Sequence, residues 1–356
     1  SVPMGVEPAK IVNDALPSAG AGAACAYAAE TDSRSAAAAD VRSRERRMVS
    51  GYQEARERAA FDERRDRGRV RVAGADGRSF LHALVTNDVA SLEPGASRYA
   101  ALLTPQGRMI TDMTLVMSAP DVIHLAVPSD VAAPLAARLD RLIFTEAVEV
   151  ADVSPSTAHF SVTGPAAAGA VAAATEAVDT SGQGPAILWR SDELDLGGVD
   201  VIVPAGAAGT LRTALERLCA PLSREARQIL RVEAGRPEFH VDMTEETIPL
   251  EANLLDRAIS TTKGCYVGQE VIIRVLHRGG GRVAKRLVRL RFDGAGVPAA
   301  GSALSTDGRG AGTVTSAVWS PRAGAAIGLG YVHRDLVREG LPLSLPDGRR
   351  ATITSV

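Results

Sequence analysis

The chain has 356 residues, more than one minimal core needs, so two or three packed units are expected. Lys plus Arg number 40 against 42 Asp plus Glu, a formal charge of −2, which argues against the broad positive field of a dedicated nucleic-acid binder and leaves binding to local sites. Three cysteines, Cys25, Cys219 and Cys265, stand far apart with neither metal-site spacing nor disulfide density, a usage that fits a reducing, cytoplasmic compartment.

Residues 1–47 are rich in Ala, Ser and Gly and hold almost no large apolar residue, so a disordered extension is expected, with Met48 as the natural start. Neither a signal peptide nor a membrane span is expected, because no basic start precedes an apolar run and no stretch approaches about eighteen apolar residues. From Arg69, alternating Val70 and Val72 predict a strand. Gly74-Ala75-Asp76-Gly77 then turns the chain into an amphipathic helix holding Phe80, Leu81, Leu84 and Val85. Tyr99–Leu103, Met109–Met117 and Val122–Val127 predict consecutive antiparallel strands, and Ser129 is placed to cap a helix carrying Val131, Leu135, Leu139 and Leu142. Strands at Val148–Val150 and His159–Val162, an Ala-rich helix after Gly164-Pro165, strands near Ala186–Trp189 and Val199–Val203, and a helix over Gly209–Cys219 follow. The order lacks a regular βαβ repeat, which favours an α+β arrangement over a doubly wound sheet. Beyond a boundary near residue 283, short strands at Leu287–Phe292, Gly312–Val318, Ala326–Tyr331 and Ala351–Val356 predict a small all-β unit.

Ser223 caps a further predicted helix that runs to about Gly235, and Glu233 on it leans toward the core. A carboxylate in the last turn opposes the helix dipole, so Glu233 needs either a neighbouring Arg231 or Arg236 or a ligand. Further on, Lys263-Gly264-Cys265-Tyr266-Val267-Gly268-Gln269-Glu270 sets one cysteine between two glycines. The apolar run behind it, ending in His277 and Arg278, predicts a short helix with a basic last turn. Cys265 then sits in a loop near a helix start beside Lys263, a setting for a reactive thiol, with a buried, inert cysteine as the alternative. Glu245-Glu246 is a solvated turn, and His82, His124, His159, His240 and His333 lack ligand spacing, so no metal is expected.

The octapeptide Lys263–Glu270 resembles the signature of the YgfZ family, relatives of the aminomethyltransferase (T-protein) of the glycine cleavage system. Also similar are Gly74-Ala75-Asp76 with Phe80-Leu81, Thr86-Asn87-Asp88-Val89, Leu103-Thr104-Pro105-Gln106-Gly107-Arg108, the motif Arg231–Pro237 and Gly312-Thr313-Val314-Thr315-Ser316. These span roughly residues 50–335, and residues 1–47 have no counterpart. The resemblance implies a three-lobed folate-binding, T-protein-like domain over residues 48–282 and a C-terminal β-barrel over 283–356.

It also implies tetrahydrofolate, or a one-carbon derivative, as cofactor. Glu233 would take two parallel bonds from the pterin, Asp112 would act near the folate N10, and Lys263 and Tyr266 of the signature would lie alongside. Arg274 or Arg278 would meet the glutamate tail. T-protein relatives carry paired acids where this chain has Thr111-Asp112, and an exposed strand-edge carboxylate is the other reading of Asp112. The implied function is an accessory protein, dependent on Cys265, that supports iron–sulfur cluster assembly or repair and iron–sulfur-dependent tRNA modification. Its partners would be folate and iron–sulfur proteins or their assembly machinery, with no membrane and no direct nucleic-acid binding. A folate-dependent aminomethyl- or methyltransferase is the alternative, and an interaction module with a vestigial site the third reading.

Overall fold

The computed structural model describes residues 49–179, 185–277, 280, 282–294 and 296–355. The expectations for residues 1–47, Cys25 and Arg278 lie outside the described residues.

Two five-stranded sheets form the body. One is antiparallel throughout, in the order Ser97–Leu103, Met109–Ala119, Val122–Pro128, Arg67–Ala73, Glu149–Asp152. The other runs Ala220–Pro221, Ala60–Glu63, Thr157–Thr163, Gly198–Pro204, Ile187–Arg190, with only its first pair parallel. Each sheet covers its apolar face with two helices, Gly77–Leu84 and Ala132–Asp140 on the first and Ala167–Asp179 and Ala208–Leu218 on the second. Val70 and Val72 are fully buried, as their alternation predicts, but Arg69, just before them and on the other face, is buried too. Its guanidinium is satisfied by Thr157 Oγ1 at 2.7 Å and by the carbonyls of Arg67 and Ser154 at 2.7 and 2.6 Å, which makes the burial tolerable.

Ser129 does not cap the helix that follows it. That helix starts at Ala132, with Val131 at the cap position and no side-chain cap bond. Residues 128–131 are instead used in a turn, in which Val131 N donates to Pro128 O and Ser129 N to Asp66 O. Ser223 does cap as predicted, accepting from Ala226 N, and Gly235 ends the helix Arg224–Ala234 in the left-handed region.

That helix is the axle of the molecule. It packs Ile229 and Leu230 against Tyr52 and Ala55 of the helix Tyr52–Glu57, and Val232 against Leu287, Leu329 and Tyr331 of a closed six-stranded barrel that runs from Lys285 to Ser355. Arg231 on it donates to Asp242 Oδ2 at 2.5 Å and to Ser316 Oγ at 2.9 Å, and Asp242 Oδ1 accepts from Thr315 and Ser316 of the barrel. A third apolar cluster, including Phe239, Met243, Leu250 and Tyr266, closes over the ends of the strands holding Ala101, Leu103 and Met109. No helix among the described residues is long and apolar enough to cross a membrane.

Two buried imidazoles give the fold an acid sensitivity. Burial, and then the nearby Arg71, push the His124 ring down to about 4, and burial likewise lowers His159. Both rings stay neutral in the folded chain at pH values where the unfolded chain takes up a proton, so stability falls as pH drops below about 6.5. Thermal melts should show that fall between roughly pH 6.5 and 5, ahead of carboxylate titration, and His124→Gln should flatten part of it. An equally steep profile in the variant would remove His124 as a cause.

Candidate functional site

The chain passes from one sheet to the other between Glu63 and Arg67, and a cavity of about 620 Å³ opens beside this crossing. Seven arginines and six carboxylates line it, among them Arg64, Arg67, Asp112, Glu193, Asp200 and Arg257. Tyr99 and Trp189 add aromatic surface. Such a wall suits a ligand that carries both hydrogen-bond donors and anionic groups around an apolar body.

Asp112 is 2% exposed and lies inside its sheet, opposite Ala101, so the exposed strand-edge reading is overturned. On its other side the paired register begins only at Thr114↔Ala126, which leaves Asp112 at an opening. Tyr99 Oη donates to its Oδ2 at 2.7 Å. Its Oδ1 is buried without a hydrogen-bond partner, and the guanidinium of Arg67 stands 3.8 Å away. A buried carboxylate oxygen without a hydrogen-bond partner is costly, and here it belongs to a residue that lines the cavity. Burial, reinforced by the Asp112 charge, holds the Tyr99 hydroxyl well above its ordinary value, so it acts as a fixed donor.

Behind Asp112 stands an ion network. Glu193 Oε2 accepts from Arg64 at 2.6 Å and from Arg227 at 2.7 Å, and Arg227 also donates to Asp62 at 2.8 Å. Burial opposes the charge on Glu193, but the guanidinium groups of Arg64, Arg227 and Arg67 outweigh it and hold the carboxyl well below the usual range. On the opposite wall His159 Nε2 lies 3.7 Å from Asp200, and the His159 ring is tilted against Trp189.

The signature loop lies elsewhere. Lys263 Nζ donates to the carbonyls of His82, Val85 (2.6 Å) and Asn87 (3.3 Å), around the end of the helix Gly77–Leu84, and sits over the Tyr266 ring. Tyr266 is packed in the third apolar cluster. The loop is locked to the hairpin Leu103–Met109 by two glycines with positive φ. A Cβ on Gly107 would meet Val271 at 2.9 Å, and one on Gly268 would meet Thr104 O at 2.5 Å. Cys265 itself is exposed, not the buried cysteine of the alternative reading, whereas Cys219 is buried. Arg274 is exposed on the helix Gln269–His277. Lys263, Tyr266 and Arg274 are therefore not on the cavity wall where the resemblance would use them.

The description GCVT N-terminal domain matches residues 22–205, and Glycine cleavage T-protein C-terminal barrel domain matches residues 285–355. This chain belongs to the glycine cleavage T-protein family. Among its relatives, an aminomethyltransferase of Rubrobacter xylanophilus is 30% identical over 293 residues, covering 79% of this chain and 78% of the relative. A chloroplastic protein of Arabidopsis thaliana is 28% identical over 303 residues, covering 81% and 68%. The fold matches the crystal structure of glycine cleavage system aminomethyltransferase T from Bartonella henselae with a TM-score of 0.77, over 87% of this chain and 88% of the other, at 22% identity.

In this chain Glu233 does not line the cavity either. Its Oε1 accepts from Tyr52 at 2.7 Å and from Ser320 at 2.5 Å, and its Oε2 pairs with Arg56. The partner that the helix dipole demands is thus supplied by the Tyr52–Glu57 helix and the barrel, not by Arg231 or Arg236. Sequence reasoning passed over Arg64, Arg67, Tyr99, Glu193 and Arg227. The dense run Asp62–Arg67 just before an apolar strand is the signal that could have found the first two. Breaking one side of a buried pair is strongly destabilising, so Glu233→Ala should cost roughly 3–5 kcal/mol in denaturant unfolding, and a cost under about 1 kcal/mol would take the anchoring role from it.

Proposed function

We propose that this chain holds tetrahydrofolate, or a one-carbon derivative of it, in the cavity beside Asp112, and that it serves as a YgfZ-type accessory protein. The observation that carries the folate reading is the buried Asp112 Oδ1, which lacks a hydrogen-bond partner, on a residue that borders a cavity lined by both aromatic and charged groups. A reduced pterin fits this wall: its ring N–H and amino donors suit carboxylates, and its flat body suits Tyr99 and Trp189. Bound tetrahydrofolate would supply nitrogens that carry a one-carbon unit. Asp112 would orient such a nitrogen, and Tyr99 would keep the Asp112 side chain in place.

The accessory reading is supported by the signature loop. Lys263 and the Gly107–Gly268 contact hold it rigidly, and Cys265 is presented on the surface with Val267 and Ile273 also exposed. In this reading Cys265 serves iron–sulfur proteins or their assembly machinery, and through them tRNA-modifying iron–sulfur enzymes. A second reading, a folate-dependent aminomethyl- or methyltransferase, is favoured by the cavity-facing Asp112 and by relatives named aminomethyltransferase.

Asp112→Asn should weaken tetrahydrofolate binding by about tenfold or more, the loss of one charge-assisted bond worth roughly 1.5–3 kcal/mol, while the circular dichroism spectrum is kept. Equal affinities by titration calorimetry would remove Asp112 from the site. Cys265→Ser should leave that affinity intact yet fail to restore iron–sulfur enzyme activity in cells lacking the native protein. Full rescue would contradict the accessory role and leave the transferase reading.

A further inference from the structure

On the wall of the central cavity a hydrogen-bond donor without a close partner stands beside an acceptor in the same condition. The three guanidinium nitrogens of Arg67 face three different carboxylates: Nη2 lies 3.6 Å from Glu193 Oε1, Nη1 3.8 Å from Asp112 Oδ1 and Nε 4.0 Å from Asp66 Oδ2. All three distances exceed a hydrogen bond. Two of these acids are already engaged. Arg64 donates to both oxygens of Asp66, at 3.0 and 2.8 Å, and shares Glu193 Oε2 with Arg227. Arg67 is therefore held by charge, and its side chain, 17% exposed, lines the cavity together with Asp112. Burial opposes the charge on Arg67, but Asp112 and Glu193 outweigh it and raise the guanidinium above its ordinary value, so it is always a donor.

We infer that Arg67 and Asp112 together read the one-carbon unit, and that the protein selects a tetrahydrofolate carrying a formyl group on N5; the inference rests on the folate reading above. Asp112 Oδ1, without a hydrogen-bond partner, calls for a donor, and Arg67, 3.8 Å away, calls for an acceptor. In N5-formyl-tetrahydrofolate the N10 nitrogen keeps its hydrogen and the formyl oxygen is a carbonyl acceptor, so the two neighbouring groups of one ligand satisfy both side chains.

The other one-carbon states leave one of the two unsatisfied. Unsubstituted tetrahydrofolate brings N–H donors at N5 and N10 and no carbonyl beside them. N5-methyl-tetrahydrofolate keeps the N10 hydrogen but sets a methyl group against the guanidinium, which is then desolvated without a new acceptor. A methylene bridge between N5 and N10 removes both hydrogens and leaves Asp112 without a donor. A hydrogen bond from a guanidinium to a carbonyl is charge-assisted, so the formyl form gains the most.

The test compares N5-formyl-, N5-methyl- and unsubstituted tetrahydrofolate by titration calorimetry, on the wild type and on Arg67→Met and Arg67→Lys variants whose melting temperatures are checked. The wild type should bind the formyl form about tenfold more tightly than either of the others. Arg67→Met should bind the formyl and methyl forms alike, and Arg67→Lys, which keeps a cation, should retain part of the preference. Equal binding of all three forms by the wild type overturns the formyl selection and leaves the folate reading standing. A preference that survives in folded Arg67→Met overturns the assignment to Arg67. Should that variant fail to fold, infrared difference spectra of the wild type with an isotope-labelled formyl carbon decide: the carbonyl stretch should move to lower frequency on binding, and an unshifted stretch overturns the contact. Failure of all three forms to bind the wild type overturns the folate reading and this inference together.

Discussion

Burying charge without losing stability is the constraint on which the rest of this molecule depends. Where the chain leaves one sheet for the other, Asp62, Arg64, Asp66, Arg67, Glu193 and Arg227 meet, and Arg64 alone reaches Asp66 at 2.8 Å and Glu193 at 2.6 Å. The buried guanidinium groups of Arg64 and Arg227 are tolerable only because these carboxylates hold them, since an unpaired ion at that depth is heavily penalised. The network draws residues from both sheets and from the axle helix, so satisfying it fixes their mutual placement. It also leaves a cavity between them. Asp112, next to the network, receives the Tyr99 hydroxyl on one oxygen and no hydrogen bond on the other, which has only the Arg67 guanidinium 3.8 Å away.

The same economy separates the two faces on which the proposed function rests. Glu233 secures the Tyr52–Glu57 helix and the barrel through Tyr52, Arg56 and Ser320, while Arg231, two residues earlier, ties the axle to Asp242 and the barrel. Lys263 holds the signature loop through backbone carbonyls at a helix end, where a cation is favoured by the dipole. The turn at Thr86 and Asn87 stands between the faces: Asn87 Nδ2 donates to Tyr99 O and Arg257 O, and its own carbonyl accepts from Lys263. The cavity-lining Asp112 and the exposed thiol of Cys265 therefore stand at different places on one frame.

Much of the fold was legible because apolar spacing and turn residues act locally. The strands around Val70, Ile123 and Val201, the Ser223 cap and the barrel were all visible in the pattern of β-branched runs and glycines. Asp112 was singled out by its motif, but its burial inside the sheet was not legible there. What escaped was set by tertiary geometry. The run Asp62–Arg67 looks like a solvated face, and only the sheet crossing buries Arg64; Glu193 beside Asp192 looks like a polar turn until Arg64 and Arg227 enclose it. Lys263 looks like an activating charge for the neighbouring thiol, yet its ammonium is directed at the carbonyls of His82, Val85 and Asn87. Ser129 has the composition of a cap, but a preceding turn delays the helix to Ala132.

On the proposed reading, tetrahydrofolate sits in the cavity between the two sheets, with a donor on Asp112 Oδ1. A crystal structure of the protein grown or soaked with tetrahydrofolate addresses it most directly. Density for the pterin in the central cavity, with a ring nitrogen or amino group within hydrogen-bond reach of Asp112 Oδ1, is the predicted result. A cavity that stays empty while the ligand sits at the signature loop beside Lys263 and Tyr266, or nowhere, would contradict it.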